Sequence, residues 1–109
     1  MMSFFTKKKK AEEPTNSPVR EEDLRILKRY IKSFYEERMN LPIHTMQITR
    51  VYADSVGGVD PHIFLTIETG QKSQIIGVGG SKVAQLAAHL SGVMSRKVKI
   101  NVISSTLWD

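Results

Sequence analysis

Two stretches of the chain place apolar residues three and four positions apart, which is the spacing of one helix face. The first stripe consists of Leu24, Leu27, Ile31 and Phe34, with Tyr30 and Tyr35 at its borders. Ser17-Pro18 suits the N-cap and first residue of this helix, and Asn40-Leu41-Pro42 ends it, because the residue before a proline disfavours helix. The second stripe consists of Val83, Leu86, Ala87 and Leu90. Its helix is predicted to have Ser81 as N-cap and to stop at Gly92.

Three other stretches, residues 44–54, 62–69 and 97–103, are predicted to be half-buried strands. In the first and last, apolar residues alternate with polar ones, and the residues expected to face the core are Met46, Ile48, Tyr52, Val98, Ile100 and Val102. The first two strands flank a turn-rich loop at residues 54–61 and therefore predict an antiparallel hairpin. Residues 71–76 are predicted to form a short helical turn. The predicted order is α-β-β-α-α-β, an α+β fold with a three-stranded sheet packed against helices on one face.

A glycine loop joins the short helical turn to the second helix. It lies within the sequence Ile75-Ile76-Gly77-Val78-Gly79-Gly80-Ser81-Lys82. Three glycines in four positions permit positive φ and let a large partner approach the backbone closely. Because the loop leads into a helix N-terminus, it presents N–H groups and the positive end of a helix dipole, both of which favour phosphate. The loop is therefore the leading candidate for a functional site.

The composition is that of one small domain with a basic N-terminal extension. The chain has 109 residues and a net charge of +5. Residues 1–20 hold five cations against two acids, so most of the excess charge lies there. We expect residues 1–16 to be a disordered basic tail that solubilises the chain or contacts nucleic acid. Residues 17–103 are expected to form the domain, and residues 104–109 a C-terminal tail.

Membrane insertion and disulfide bonding are not expected. No apolar run approaches the ~18 residues of a membrane span. The chain has no cysteine, which fits a reducing compartment, so we expect a cytoplasmic protein without a membrane partner.

No arrangement of residues typical of an enzyme, a cofactor or a metal site is present in the sequence. The glycine spacing fits neither a Walker loop nor a dinucleotide fingerprint, which needs a glycine where Lys82 stands. His44, His62 and His89 are scattered and have no cysteine beside them, so no metal site is predicted. His89 shares a predicted helix face with Lys82, and we expect that face to meet solvent or a ligand. The chain is therefore predicted to be non-enzymatic and to use no cofactor.

From Arg20 to Ile103 the chain resembles a type II KH domain, the form found in small-subunit ribosomal proteins and in a ribosome-assembly GTPase. The residues Ile75-Ile76-Gly77-Val78-Gly79-Gly80 match the family's Ile-Ile-Gly-x-x-Gly. The helix of Val83, Leu86 and Leu90, the following Gly92 and the strand at residues 97–100 also match. A lone G-x-x-G is a weak signal, but its place between two helices, after a hairpin and before a final strand, makes it stronger.

The resemblance implies a protein that binds single-stranded nucleic acid, usually RNA. In the family the G-x-x-G loop clamps the backbone of about four nucleotides, and the bases lie in an apolar groove beside it. The residues that this implies for the site are Lys72, Ile75, Ile76, Gly77, Val78, Gly79, Gly80, Ser81, Lys82, Val83 and Leu86. The strand side of the groove would come from Ile63 and Leu65 or, on the other face, from Phe64.

The chain departs from the family at the two variable loop positions. These positions usually include a lysine or an arginine, whereas here they are Val78 and Gly79. A phosphate at this loop would therefore depend on backbone N–H groups. Lys72 and Lys82 flank the loop and are expected to replace part of the missing charge.

Two alternatives remain beside a free-standing or ribosome-associated RNA-binding protein. In the first alternative the chain is a structural subunit of a ribosome, another ribonucleoprotein or a viral particle, and it uses the fold mainly for protein contacts. Phe4, Phe5, residues 7–10 and the tail with Trp108 would then contact its neighbours. In the second alternative the ligand is single-stranded DNA, because discrimination between RNA and DNA depends on 2′-hydroxyl contacts that a sequence does not reveal.

Overall fold

The computed structural model describes residues 18–105 as an α+β fold built on a three-stranded mixed sheet. In chain order the elements are α1 (Glu21–Ser33), a π-helical turn (Phe34–Arg38), a 3-10 turn (Ile43–Met46), β1 (Ile48–Val56), β2 (His62–Thr69), α2 (Lys72–Ile76), a second 3-10 turn (Val78–Gly80), α3 (Ser81–Met94) and β3 (Val98–Ser104). The sheet order is β1-β2-β3, with β1 antiparallel and β3 parallel to β2. The α+β class and the hairpin are confirmed. The expectation for the tail at residues 1–16 falls outside the described residues, as does that for residues 106–109 of the predicted tail at 104–109, whereas Ser104 belongs to β3.

The hydrophobic core lies between the helices and one face of the sheet. On β2 the fully buried apolar residues are Ile63, Leu65 and Ile67, whereas Phe64 is 37% exposed on the opposite face. From the helices the core receives Leu27, Ile31, Phe34, Tyr35, Ile75, Leu86 and Leu90. Helices α2 and α3 pack on β3, and α1 packs on α3 and β1. No helix within residues 18–105 has both the length and the apolar character needed to cross a bilayer.

Helix α1 begins later than the sequence predicts. Pro18 is not helical, and the helix starts at Glu21 after Arg20 as N-cap. The backbone N–H of Arg20 donates a hydrogen bond to Oδ2 of Asp23 at 3.1 Å, which is one half of a capping box. The carboxylate at the third helical position therefore fixes the start of the helix more strongly than the proline does. The helix also changes to a π-helical turn before it ends.

The first strand is shorter at its start than predicted, and its register is shifted. Residues 43–46 form a 3-10 turn, and Gln47 then takes a left-handed conformation with φ of +51°, so the strand begins only at Ile48. A β-bulge between Ile48 and Arg50 shifts the register by one residue. As a result Val51 packs against the core, and the prediction that Tyr52 faces inward is wrong. Met46 is buried as predicted, but it is not on the strand.

The caps of α3 differ from the prediction, whereas its core face does not. Gly80 is the N-cap and Ser81 is the first helical residue, with no side-chain cap hydrogen bond. Gly92 lies inside the helix, which continues to Met94 and ends at Ser95 in a left-handed conformation with φ of +54°. Leu86 and Leu90 are buried as their spacing predicts. The predicted short helix at residues 71–76 is confirmed as α2, and the last strand is confirmed with its bounds moved by one residue.

Candidate nucleic-acid interface

The glycine loop is an open connection between α2 and α3. Gly77, Gly79 and Gly80 have φ values of +78°, +61° and +78°, all in the region that favours glycine. A Cβ on Gly77 would lie 2.7 Å from Cγ of Lys82, so packing within the protein requires a glycine there. A Cβ on Gly79 or Gly80 would meet no atom within 4 Å. The backbone at these two positions is therefore open to an approaching ligand.

Several N–H groups of the loop are already used by the protein. The N–H of Gly77 donates to the Ser73 carbonyl at 2.9 Å, and that of Gly80 donates to the Gly77 carbonyl at 3.1 Å. The N–H of Ser81 donates to the Val78 carbonyl. Within the described part of the chain, no backbone hydrogen bond uses the N–H of Val78 or Gly79. These two groups are the donors that the loop offers to an anion.

Two lysines flank the loop, one on each helix. Lys72 is exposed at the start of α2, and Lys82 is half-buried near the start of α3. The stem of Lys82 packs over Gly77, which draws the side chain alongside the loop. Among residues 18–105, neither lysine forms an ion pair with a carboxylate. Both charges therefore remain available to a ligand of the loop.

The apolar residues predicted for the site divide into two groups. Ile75 and Leu86 are fully buried, so they belong to the core and support the site only from beneath. Ile76 and Val83 are half-buried and remain accessible beside the loop. Val78 stands at the tip of the loop with 92% of its surface exposed. The strand residues Ile63 and Leu65 are buried, and Phe64 lies on the open face of the sheet, away from the helices.

A tyrosine of the π-helical turn holds the end of α2 in place. The hydroxyl of Tyr35 donates a hydrogen bond of 2.8 Å to the carbonyl oxygen of Ile75, two residues before Gly77. Tyr35 is fully buried, and this burial raises the pKa of its hydroxyl. The sequence places Tyr35 only at the border of the apolar stripe, so its anchoring role is not predicted. The sequence gives one indication of this role: a tyrosine hydroxyl next to the apolar stripe needs a hydrogen-bond partner if it is buried.

His89 is half-buried, whereas the sequence predicts a helix face that meets solvent or a ligand. Its ring packs against the rings of Tyr30 and Phe34, with centroids 5.8 Å and 5.9 Å away. Nη1 of Arg38 donates a long hydrogen bond of 3.4 Å to Nδ1 of His89. The histidine therefore joins α3 to α1. Within residues 18–105, no group of three or more potential metal ligands comes together.

Two lysines at the start of β3, Lys97 just before the strand and Lys99 on it, form ion pairs away from the glycine loop. The ammonium groups of Lys99 and Lys97 lie 2.7 Å and 2.9 Å from the Asp60 carboxylate. These hydrogen bonds, first from Lys99 and then from Lys97, lower the pKa of Asp60 to about 2. The contacts tie the loop between β1 and β2 to β3. These two charges therefore stabilise the sheet side of the protein.

The structure thus brings together the predicted loop, the two flanking lysines and two accessible aliphatic residues, Ile76 and Val83. Comparison with models of protein families and with curated protein sequences finds no match to this chain.

Proposed function

We propose that the protein is a type II KH-like, non-enzymatic binder of single-stranded RNA that acts in the cytoplasm, alone or with ribosomal or other ribonucleoprotein partners. The backbone of the RNA would lie across the loop from Gly77 to Gly80. The N–H groups of Val78 and Gly79 would donate to phosphate oxygens, while Lys72 and Lys82 supply positive charge. The adjacent bases would contact Ile76 and Val83.

The openness of the loop backbone is the observation that carries the proposal. Packing explains the glycine at position 77, because Lys82 occupies the space of a side chain. Packing does not explain the glycines at positions 79 and 80, where a side chain would meet open space. Their positive φ values would also admit asparagine or aspartate, which are the common alternatives in that region. Glycine at both positions keeps the backbone unobstructed for a polymer that approaches closely.

The order of elements supports the same proposal. The loop joins a short helix to a longer one, follows a hairpin and precedes a strand, as the resemblance to type II KH domains implies. The N-terminus of α3 also points its first N–H groups toward the loop side, where a phosphate is favoured by the helix dipole. Because neither position 78 nor position 79 carries a cation, we expect the affinity for RNA to be modest and to depend only weakly on salt concentration.

The test is a pair of double variants that differ only in charge. In Val78→Asp/Gly79→Asp, two carboxylates face the phosphates, and in Val78→Asn/Gly79→Asn, two amides of nearly the same shape do so. Both residue types tolerate the left-handed conformation of Gly79 comparatively well. With a pool of random single-stranded RNA dodecamers at low salt, we expect the aspartate variant to bind at least ~10-fold more weakly than the asparagine variant.

Equal affinity of the two variants would exclude the loop as the RNA site. The same measurement with DNA dodecamers of matched composition separates the two nucleic acids. Tighter binding of DNA would replace RNA by single-stranded DNA as the ligand. Circular dichroism of both variants checks that the fold is retained.

Protein contact is the second candidate function, and one observation favours it. Val78 is an aliphatic residue at the tip of the loop, 92% exposed, where a nucleic-acid clamp would gain from a cation. An exposed aliphatic residue is suited to insertion into an apolar pocket of a neighbouring protein in a ribonucleoprotein or viral particle. Failure of the wild-type chain to retain any RNA or DNA dodecamer at low salt would favour this function over the first.

A further inference from the structure

A second surface, distinct from the loop, is a groove between α1 and the edge strand β1. It has a volume of about 270 Å³. Its lining residues are Ile31, Ile43, Ile48, Val51, Lys28 and Lys32. Buried Ile31 forms the floor of the groove, half-buried Ile43, Ile48 and Val51 form its accessible apolar walls, and the two exposed lysines of α1 border it. None of these residues belongs to the glycine loop or its flanking helices.

The groove lies beside an unpaired strand edge. In the sheet order β1-β2-β3, β1 pairs on one side only, with β2. Alternate residues of such a strand turn their N–H and C=O groups outward, where they are ready to pair with another strand. Ile48 and Val51 are on the core-facing side of β1. The inward side chains of a strand added at this edge would therefore lie next to them, beneath α1 and inside the groove.

The border of the groove is strongly basic. The exposed residues of α1 include Arg25, Lys28, Arg29 and Lys32. The spacing of Glu21 and Glu22 favours pairs with Arg25, but within residues 18–105 no carboxylate forms an ion pair with any of these four cations. A second depression, of about 260 Å³ and lined by Glu21, Leu24, Arg25 and Lys28, adjoins the groove through Lys28. The charge of this surface is thus complementary to an acidic partner.

We propose that this groove binds an extended peptide segment with alternating apolar and acidic residues, which joins β1 as a fourth strand. Its main chain would continue the hydrogen-bond ladder at the open edge, as in other β-strand additions. Its apolar side chains would fill the groove, and its carboxylates would meet Lys28 and Lys32. A peptide fits better than a nucleic acid because only a peptide can pair with the strand edge that borders the groove.

The experiment selects decapeptides from a random display library on the full-length chain. We expect the enriched peptides to alternate apolar and acidic residues. Their affinity should fall at least ~10-fold for Lys28→Glu/Lys32→Glu, which reverses the charge of the groove. The matched control Lys72→Glu/Lys82→Glu makes the same change in net charge at the glycine loop, and should change peptide affinity by less than ~2-fold. Since Lys28, Lys32 and Lys72 are exposed and Lys82 is only half-buried, both variants are expected to fold.

A second arm tests strand addition without changing the protein. N-methylation of alternate residues of one enriched peptide removes half of its main-chain donors. Methylation of the residues whose N–H groups face β1 should reduce affinity at least ~10-fold. Methylation of the other alternate set should reduce it much less, because only one edge of the added strand pairs with β1.

Three results would overturn the proposal. The first is that no peptide is enriched. The second is that the enriched peptides bind the Lys28→Glu/Lys32→Glu variant as tightly as they bind the wild-type chain. The third is that methylation of either alternate set of peptide residues has the same effect on affinity. If the groove variant instead loses RNA dodecamers while peptides bind unchanged, the surface binds nucleic acid. If the glutamate variant fails to fold, Lys28→Gln/Lys32→Gln is measured instead, with a loss of at least ~3-fold expected.

Discussion

The hydrogen bond between Tyr35 and Ile75 is predicted to stabilise both the fold and the position of the glycine loop. The Tyr35→Phe substitution removes the hydroxyl and keeps the ring in place. The carbonyl of Ile75 then loses its donor in the core, because α2 ends one residue later and the N–H of Gly79 does not reach it. The substitution therefore leaves a buried acceptor unpaired without making a large cavity.

The expected cost follows from the burial of this hydrogen bond. Loss of one partner of a buried hydrogen bond costs ~1–3 kcal/mol of the free energy of unfolding, since the remaining group is desolvated without compensation. For a domain of this size, each kcal/mol lowers Tm by roughly 4–8 °C. We thus expect Tm of Tyr35→Phe to fall by at least ~4 °C. The dependence of the free energy of unfolding on urea concentration should be the same as in the wild type, because unfolding exposes the same surface area.

Urea unfolding followed by circular dichroism measures this directly, with Tyr52→Phe as the control. Tyr52 is half-buried outside the core, with the guanidinium of Arg50 over its ring at 4.3 Å. Its substitution should cost less than ~0.5 kcal/mol. If Tyr35→Phe unfolds within ~0.5 kcal/mol of the wild type, the hydroxyl does not hold α2 as described.

The pH dependence of the same residue gives an independent check. Burial raises the pKa of Tyr35 in the folded protein above the value of about 10 that tyrosine has when unfolded. Stability from this group is therefore complete below pH ~10 and is lost as pH rises further, because only the unfolded state readily gives up the proton. The loss approaches ~1.4 kcal/mol per pH unit and should be missing in Tyr35→Phe. Equal base sensitivity of the two proteins would contradict a buried, neutral hydroxyl.

Three further predictions concern the glycine loop and the ion pairs of Asp60. Gly77→Ala should lower the free energy of unfolding in urea by ~2 kcal/mol or more, because the added Cβ meets Lys82 and the residue has a positive φ. Gly79→Ala should lower it by only ~1 kcal/mol, because there the backbone conformation is the sole cost. Equal losses would contradict the packing of Lys82 over Gly77. Val78→Lys should tighten RNA binding and steepen the salt slope by ~0.7, and an unchanged slope would mean that no phosphate lies at the loop tip. Nuclear magnetic resonance should find the Asp60 pKa at about 2, held there mainly by Lys99. The stability from this carboxylate is present above pH ~4 and is lost as pH falls toward 2, and a normal pKa would contradict the ion pair.

The apolar spacing of the sequence predicts most of the core face of each helix and the order of the elements, although Leu24 lies outside the core and Tyr35 is fully inside it. Leu27, Ile31, Leu86 and Leu90 are buried as their periodicity indicates, since burial of an apolar stripe is what makes these helices stable in the first place. The glycine loop was also placed correctly between two helices. The positive φ values of its glycines lie in a region that glycine enters more readily than any other residue.

The features that the sequence did not predict depend on contacts between distant residues. The bulge after Ile48 reverses which residues of β1 face the core, and alternation alone cannot show an inserted residue. The parallel pairing of β3 depends on where α3 crosses the sheet. The packing of the His89 ring against Tyr30 and Phe34 and the hydrogen bond from Tyr35 to Ile75 join positions 40 or more residues apart, so no local pattern encodes them.

A titration of the isotope-labelled full-length chain with single-stranded RNA, followed by backbone amide resonances, tests RNA binding at the loop most directly. The amides of Val78 and Gly79 should shift most, since their N–H groups are the open donors, and the shifts should extend into Ser81–Val83 at the start of α3. Peptide binding at the α1–β1 groove should leave these amides unmoved. If RNA shifts amides of α1 or of the sheet while those of Val78 and Gly79 stay in place, the glycine loop is not the RNA-binding site.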